Sequence, residues 1–168
     1  MAYFTSEFHQ FFTDLRANNE REWYHENKKR YEKHVKQPMQ AFITALIDQM
    51  QIHDPSIAIT HKDAIFRIYR DTRFSKDKTP YKTNTSAVVS RGGRKDMTSP
   101  GLYIELNDEK VALYSGIYMP NPKQVKRIRE EIVSNMEEFQ TLVDAPAFQE
   151  KFGGIIRGDK HKRIPKEF

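Results

Sequence analysis

Phe8, Phe11, Phe12 and Leu15 recur at i, i+3, i+4 and i+7, the spacing of one helical face, and Thr5 or Ser6 is available as its cap. "ANNERE" ends this first predicted helix. Asn19 with Glu22 three residues later has the form of a capping arrangement for a second, mostly polar helix running to about residue 35. Its apolar contacts are Trp23, Tyr24, Tyr31 and Val35. Pro38 suits a first helical turn, and Met39, Phe42, Ile43, Leu46, Ile47 and Met50 beyond it make the strongest stripe of the N-terminal half. That predicts a third helix, closed by "HDPS".

From residue 57 to 119 the period shifts toward two, and "SIAIT", "AIFRIYR", "TSAVVS", "GLYIEL" and "KVALYSGIYM" read as strands. Leu102, Ile104 and Leu106 alternate with Tyr103 and Glu105, and "NDE" supplies a short reversal before Val111, Leu113 and Ile117. An antiparallel meander with one buried face is expected. "RGGRKDMTSPG" reads as a mobile loop. Asn121 and Pro122 then open a long helix bearing Val125, Ile128, Ile132, Val133, Met136 and Phe139, and a shorter one lies near Ala147 to Phe152. Helices, then strands, then helices predict an α+β fold, a meander-type sheet flanked by N-terminal and C-terminal helices.

Composition narrows the class. At 168 residues, with 38% apolar and 30% charged residues, the chain suits one soluble domain spanning 1–168. No window approaches a membrane span, and "MAYFTSEFHQFF" lacks the layout of a signal peptide, so a cytoplasmic location without membrane contact is expected. There is no cysteine, which excludes disulfides and thiolate metal sites. The six histidines show no paired-ligand spacing, so neither a metal nor a cofactor is expected.

Charge changes the picture more. Residues 62–95 hold ten Lys or Arg against three acids, net +7, while the whole chain carries only +5. The basicity therefore belongs to one segment, as a local anion site requires. Within it, strand alternation in "AIFRIYRD" would put Arg70 on the core side with Phe66 and Ile68. A buried guanidinium must be paired, and Glu22 or Asp71 is the expected partner. Beyond Asp71, "TRFSKDKTPYK" reads as a loop that displays Arg73, Lys76, Lys78 and, just after it, Lys82. Arg offers a planar fork and Lys a mobile point charge, both suited to phosphate or carboxylate.

The string Arg67-x-x-Arg70-Asp71-x-Arg73-Phe74, followed by Asp77-Lys78-x-x-Tyr81, resembles the signature of a bacterial and fungal family known as domain of unknown function 2461. "NNEREWYHENKKRYEKHVKQP", "GIYMP", "IREEI" and the late "G-D … P-K-E-F" are similar to the family's other blocks. The resemblance covers essentially the whole chain and implies no biochemical activity. It also implies a C-terminal truncation, because members usually continue past the counterpart of "RIPKEF".

Two readings of the motif stand side by side. In one, Arg67, Arg70, Arg73, Lys78 and Lys82 hold a phosphate-bearing or carboxylate ligand, nucleic acid included, supported by Asp71, Tyr81, Asn19, Arg21, Glu22 and Trp23. In the other, the same cations form an internal ion-pair network. Enzymatic action on a phosphorylated or carboxylated small molecule is a third reading, with Asp71 or Glu22 as base; Tyr81, following a Pro turn, reads as a packing anchor instead of a nucleophile, and Ser75 lacks a local base. Whether the chain is an enzyme, and its oligomeric state, stay open at this level.

Overall fold

The apolar face of α1 (Ser6–Ala17) seeds the core: Phe8, Phe11, Phe12 and Leu15 are all buried, as their spacing requires. The computed structural model describes residues 2–154, and the chain divides into two compact units, Met1–Tyr118 and Met119–Phe168. In the first unit, α2 (Arg21–Tyr31), a π-helical segment (Glu32–Lys36) and α3 (Gln37–His53) follow one another without a break. The apolar pattern predicts two separate helices here. Proline lacks an N–H and crowds the carbonyl four residues back, so Pro38 would interrupt an ordinary helix. The wider turns just upstream shift the hydrogen-bond register and let the rod continue.

β1 (Thr85–Ser90), β2 (Gly101–Leu106) and β3 (Val111–Gly116) form an antiparallel meander in that order, which with the helices makes an α+β fold. Ala87, Val89, Ile104 and Leu106 point into the core shared with α1 and α3. On the opposite face the register aligns Val88, Tyr103 and Tyr114 in one row across the sheet. Val111 and Leu113, expected to be buried, are exposed, because the helices meet the sheet at β1 and β3 is its far edge.

Two expected strands are not strands. "SIAIT" alternates in burial, with Ile57 inside, yet the Ile57 carbonyl is taken by the Gln51 side chain at 2.6 Å instead of by a neighbouring strand. In "AIFRIYR", Ala64 ends the short helix α4 (His61–Ala64), which Thr60 and Asp63 close with a capping box. Only Ile65 and Tyr69 make isolated bridges, to Ala87 and Tyr81. The expected mobile loop after β1 is docked instead. It carries a 3-10 turn (Gly93–Lys95) whose Gly93, at φ 66°, lies so close to α4 that a Cβ there would fall 2.7 Å from the Asp63 carbonyl oxygen. Only glycine satisfies both demands.

In the second unit Asn121 and Gln124 cap the start of α5 (Pro122–Ser134) reciprocally. The single long helix expected here is two, because Asn135 leaves helical geometry before α6 (Met136–Asp144). α7 (Pro146–Phe152) ends at Gly153 in the left-handed region. None of the residues of these three helices is buried. The "RGDKHKR" and "RIPKEF" segments and His161 lie outside the described residues. No described helix is long and apolar enough to cross a membrane.

Candidate functional site

The basic segment leaves α4 along the outer edge of β1, where the Phe66 N–H donates to the Ser86 carbonyl at 2.9 Å. It then doubles back on itself: Arg70 N–H donates to Pro80 O at 2.9 Å and Lys82 N–H to Ile68 O at 2.8 Å. Pro80 has no N–H to return, so the ladder cannot lengthen into a strand. Residues 71–79 are thereby left as a loop.

Inside that loop the cations are occupied. The Arg70 guanidinium is half-buried and donates to the Asp77 carboxylate and the Thr79 hydroxyl. Its partner is thus neither Glu22 nor Asp71, and it does not reach the core: the chain turns at Asp71, and the turn brings Asp77 across. Arg73 grips Asp71 with two nitrogens, at 2.9 and 2.6 Å, and Lys78 donates to the Thr72 carbonyl at 2.9 Å. Hydrogen bonds from the Arg73 side chain, then its backbone N–H, lower the Asp71 carboxyl to about 2. The Thr79 N–H and the Arg70 side chain do the same for Asp77, also to about 2. Phe74, at the loop's tip, is exposed.

Asn19 ties the other end of the motif down. Its side-chain amide donates to Tyr81 O and accepts from Tyr81 N–H, both at 3.0 Å. Tyr81 is buried and stacks on Tyr24 with ring centroids 4.1 Å apart. Burial of the Tyr24 hydroxyl pushes its pKa well above the ordinary value. Trp23 packs against Phe11, and Glu22 is exposed with no ion pair among the described residues. Arg21 lines a small cleft of about 300 Å³ with His25, Tyr69, Arg70 and Tyr81. The two halves of the sequence signature therefore meet, chiefly through Asn19 and Tyr81.

Arg67 and Lys82 have a different setting. Arg67 is exposed and makes no hydrogen bond or ion pair among the described residues. It lines a cleft of about 260 Å³ with Lys36, His61, Lys62 and Arg94, and no carboxylate contributes to the lining. Lys36 retains Glu32 as an ion-pair partner at 2.7 Å, and Arg94 donates to the Lys62 carbonyl. The Lys82 ammonium lies 5.1 Å from the centroid of Phe66. Burial, then the neighbouring Arg67, lowers its pKa. Desolvation and the like charge of Arg67 disfavour the ammonium, and the Glu105 carboxylate offsets them in part.

Phe66 and Arg94 also line a second, larger groove of about 660 Å³ on the outer face of the sheet. Tyr103, Tyr114 and Tyr118 belong to it. The sequence reading missed Lys36, His61, Lys62 and Arg94 as site residues. Lys62 and Arg94 lay within the basic segment, but nothing in the spacing says that they approach Arg67. Among the described residues no group of three or more His, Asp or Glu could hold a metal ion. A sequence model for a family described as conserved hypothetical protein (DUF2461) matches residues 7–168. No curated protein and no solved structure matches the chain.

Proposed function

The chain belongs to the DUF2461 family of conserved hypothetical proteins, and from that premise we propose that it binds a phosphate-bearing ligand in the cleft around Arg67. The observation that carries this reading is the lining itself: Arg67, Lys62, Lys36 and Arg94 face one cleft without a carboxylate among them. Lys36 is offset by Glu32, but Arg67, Lys62 and Arg94 hold no ion pair among the described residues, so they repel one another across the cleft and an anion between them would reduce that repulsion. Arg67 supplies the planar fork that suits phosphate, and the lysines supply point charges.

The loop cations take another part in this reading. Arg70 and Arg73 already have carboxylates, and a ligand would have to displace Asp77 and Asp71 to reach them. They hold the loop's shape, while Arg67 faces the ligand. Titration of the full chain with inorganic pyrophosphate at two salt concentrations tests the proposal. Saturable binding that weakens with salt and is lost in Arg67→Ala is expected. Binding that survives Arg67→Ala unchanged, or no binding at low salt, would reject it.

A further inference from the structure

The cationic cleft does not end at a wall. Phe66 and Arg94 line both it and the groove on the outer sheet face, so the two hollows share a rim. From that rim a row of aromatic rings runs across the strands. Phe66 and Tyr103 have centroids 6.4 Å apart, and Tyr103 and Tyr114 6.0 Å apart. None of the three is buried, and Tyr114 is 57% exposed. Sheet geometry explains the row, since Tyr103 and Tyr114 are directly paired residues whose side chains rise on the same face.

Resting on the phosphate-binding reading above, we infer that the ligand is a single-stranded nucleic acid, its backbone in the cleft around Arg67 and its bases stacked on Phe66, Tyr103 and Tyr114. Aromatic faces beside a cationic track are the two elements that unpaired strands require, and the charge complements a phosphate backbone. A duplex keeps its base faces stacked on one another and has nothing to offer the rings.

The groups at the edge of the row point to tolerance of base sequence. Glu105 is engaged by the Tyr103 hydroxyl at 2.9 Å and by Lys110 at 3.0 Å. Asp96 is taken by the Thr98 N–H at 2.8 Å and its hydroxyl at 2.6 Å. Glu105 thus has a partner on each oxygen, and Asp96 Oδ1 is taken, so little carboxylate capacity is left at the row for reading a base edge. Recognition therefore falls to ring faces, which every base can meet.

The test uses the full chain and four probes: pyrophosphate, a mononucleotide, an oligothymidylate of about ten nucleotides, and an abasic phosphodiester strand of the same length. The oligothymidylate is expected to bind at least about tenfold more tightly than the abasic strand. Tyr114→Ala, at an exposed position, should weaken oligothymidylate about tenfold while leaving pyrophosphate affinity in place, and Tyr103→Phe, which keeps the ring, should retain it. Equal affinity for the abasic strand, or indifference to Tyr114→Ala, overturns the single-strand inference while pyrophosphate binding upholds the anion site. A mononucleotide that binds as tightly as the oligomer also overturns it, in favour of a free nucleotide. If pyrophosphate and oligomer both fail to bind, the anion site itself falls, and this inference with it.

Discussion

The loop at residues 70–79 and the cleft around Arg67 draw on the same short basic segment, yet their cations live differently. In the loop each arginine has a carboxylate supplied from within a few residues: Asp77 for Arg70, Asp71 for Arg73. In the cleft Arg67 has none, and its neighbours Lys36, Lys62 and Arg94 arrive from a helix rod, a short helix and a distant turn. Local sequence can neutralise a cation cheaply through a turn. A cluster assembled from separate elements acquires a counter-charge only if the fold provides one, and here it does so for Lys36, through Glu32, but gives Arg67, Lys62 and Arg94 no ion pair among the described residues. Charge density alone thus fails to separate an ion-paired arginine from one without a partner among the described residues; the source of the partner carboxylate does.

The sharpest way to break this contrast is Lys62→Ala with Arg67→Ala. Removing two charge-assisted contacts should lower pyrophosphate affinity about a hundredfold, measured by calorimetry, with no loss of thermal stability. Destabilisation without an affinity change would make the cleft structural after all. Arg70→Ala should do the reverse: a stability loss of about 1 kcal/mol in denaturant unfolding and pyrophosphate affinity within about twofold. The pair it removes is partly wet, Arg70 being 28% and Asp77 55% exposed, and that limits the effect.

Acid should separate the two regions without mutation. Asp71 and Asp77 both have carboxyls lowered from 3.8 to about 2, so the order they lend is complete above the unfolded value and lost as pH falls through about 2. Backbone amides of Arg73 and Thr79, which donate to these carboxylates, should lose their protection across that window, as followed by NMR. The side chains of Lys62 and Arg67 bond no carboxylate among the described residues, so they should lose no hydrogen bond of their own across that window. The smallest effect belongs to Arg73→Ala. That side chain is 76% exposed, and losing its pair with Asp71 is expected to leave the denaturant midpoint essentially unchanged in the same unfolding measurement.

Much of the fold could be read from residue patterns, because those patterns report burial. The stripe of α1, the alternation of Leu102, Ile104 and Leu106, and the Asn121–Pro122 helix start each state which way side chains face. The same signal misled at "AIFRIYR". Ala64 and Ile68 are buried and Arg67 and Tyr69 exposed, as alternation predicts, but the segment finds only isolated bridges. Alternation shows which side faces the core; it does not show that a neighbouring backbone is present to bond. Pro80 removed the donor that would have extended the pairing.

By itself the sequence determined the helical stripes, the meander, the family and the location of the surplus positive charge, since all of these depend on near neighbours and residue type. Tertiary structure alone decided which cations are spent and which are free. Arg70 found Asp77 only because the chain doubled back at Pro80, and Asn19 reached Tyr81 across more than sixty residues of sequence. Lys36 came to the cleft on the rod that continues past Pro38, and Arg94 on a turn that Gly93 lets settle against α4. The electrostatic character of each arginine depends on what lies within a few ångströms, and spacing along the chain does not record that distance.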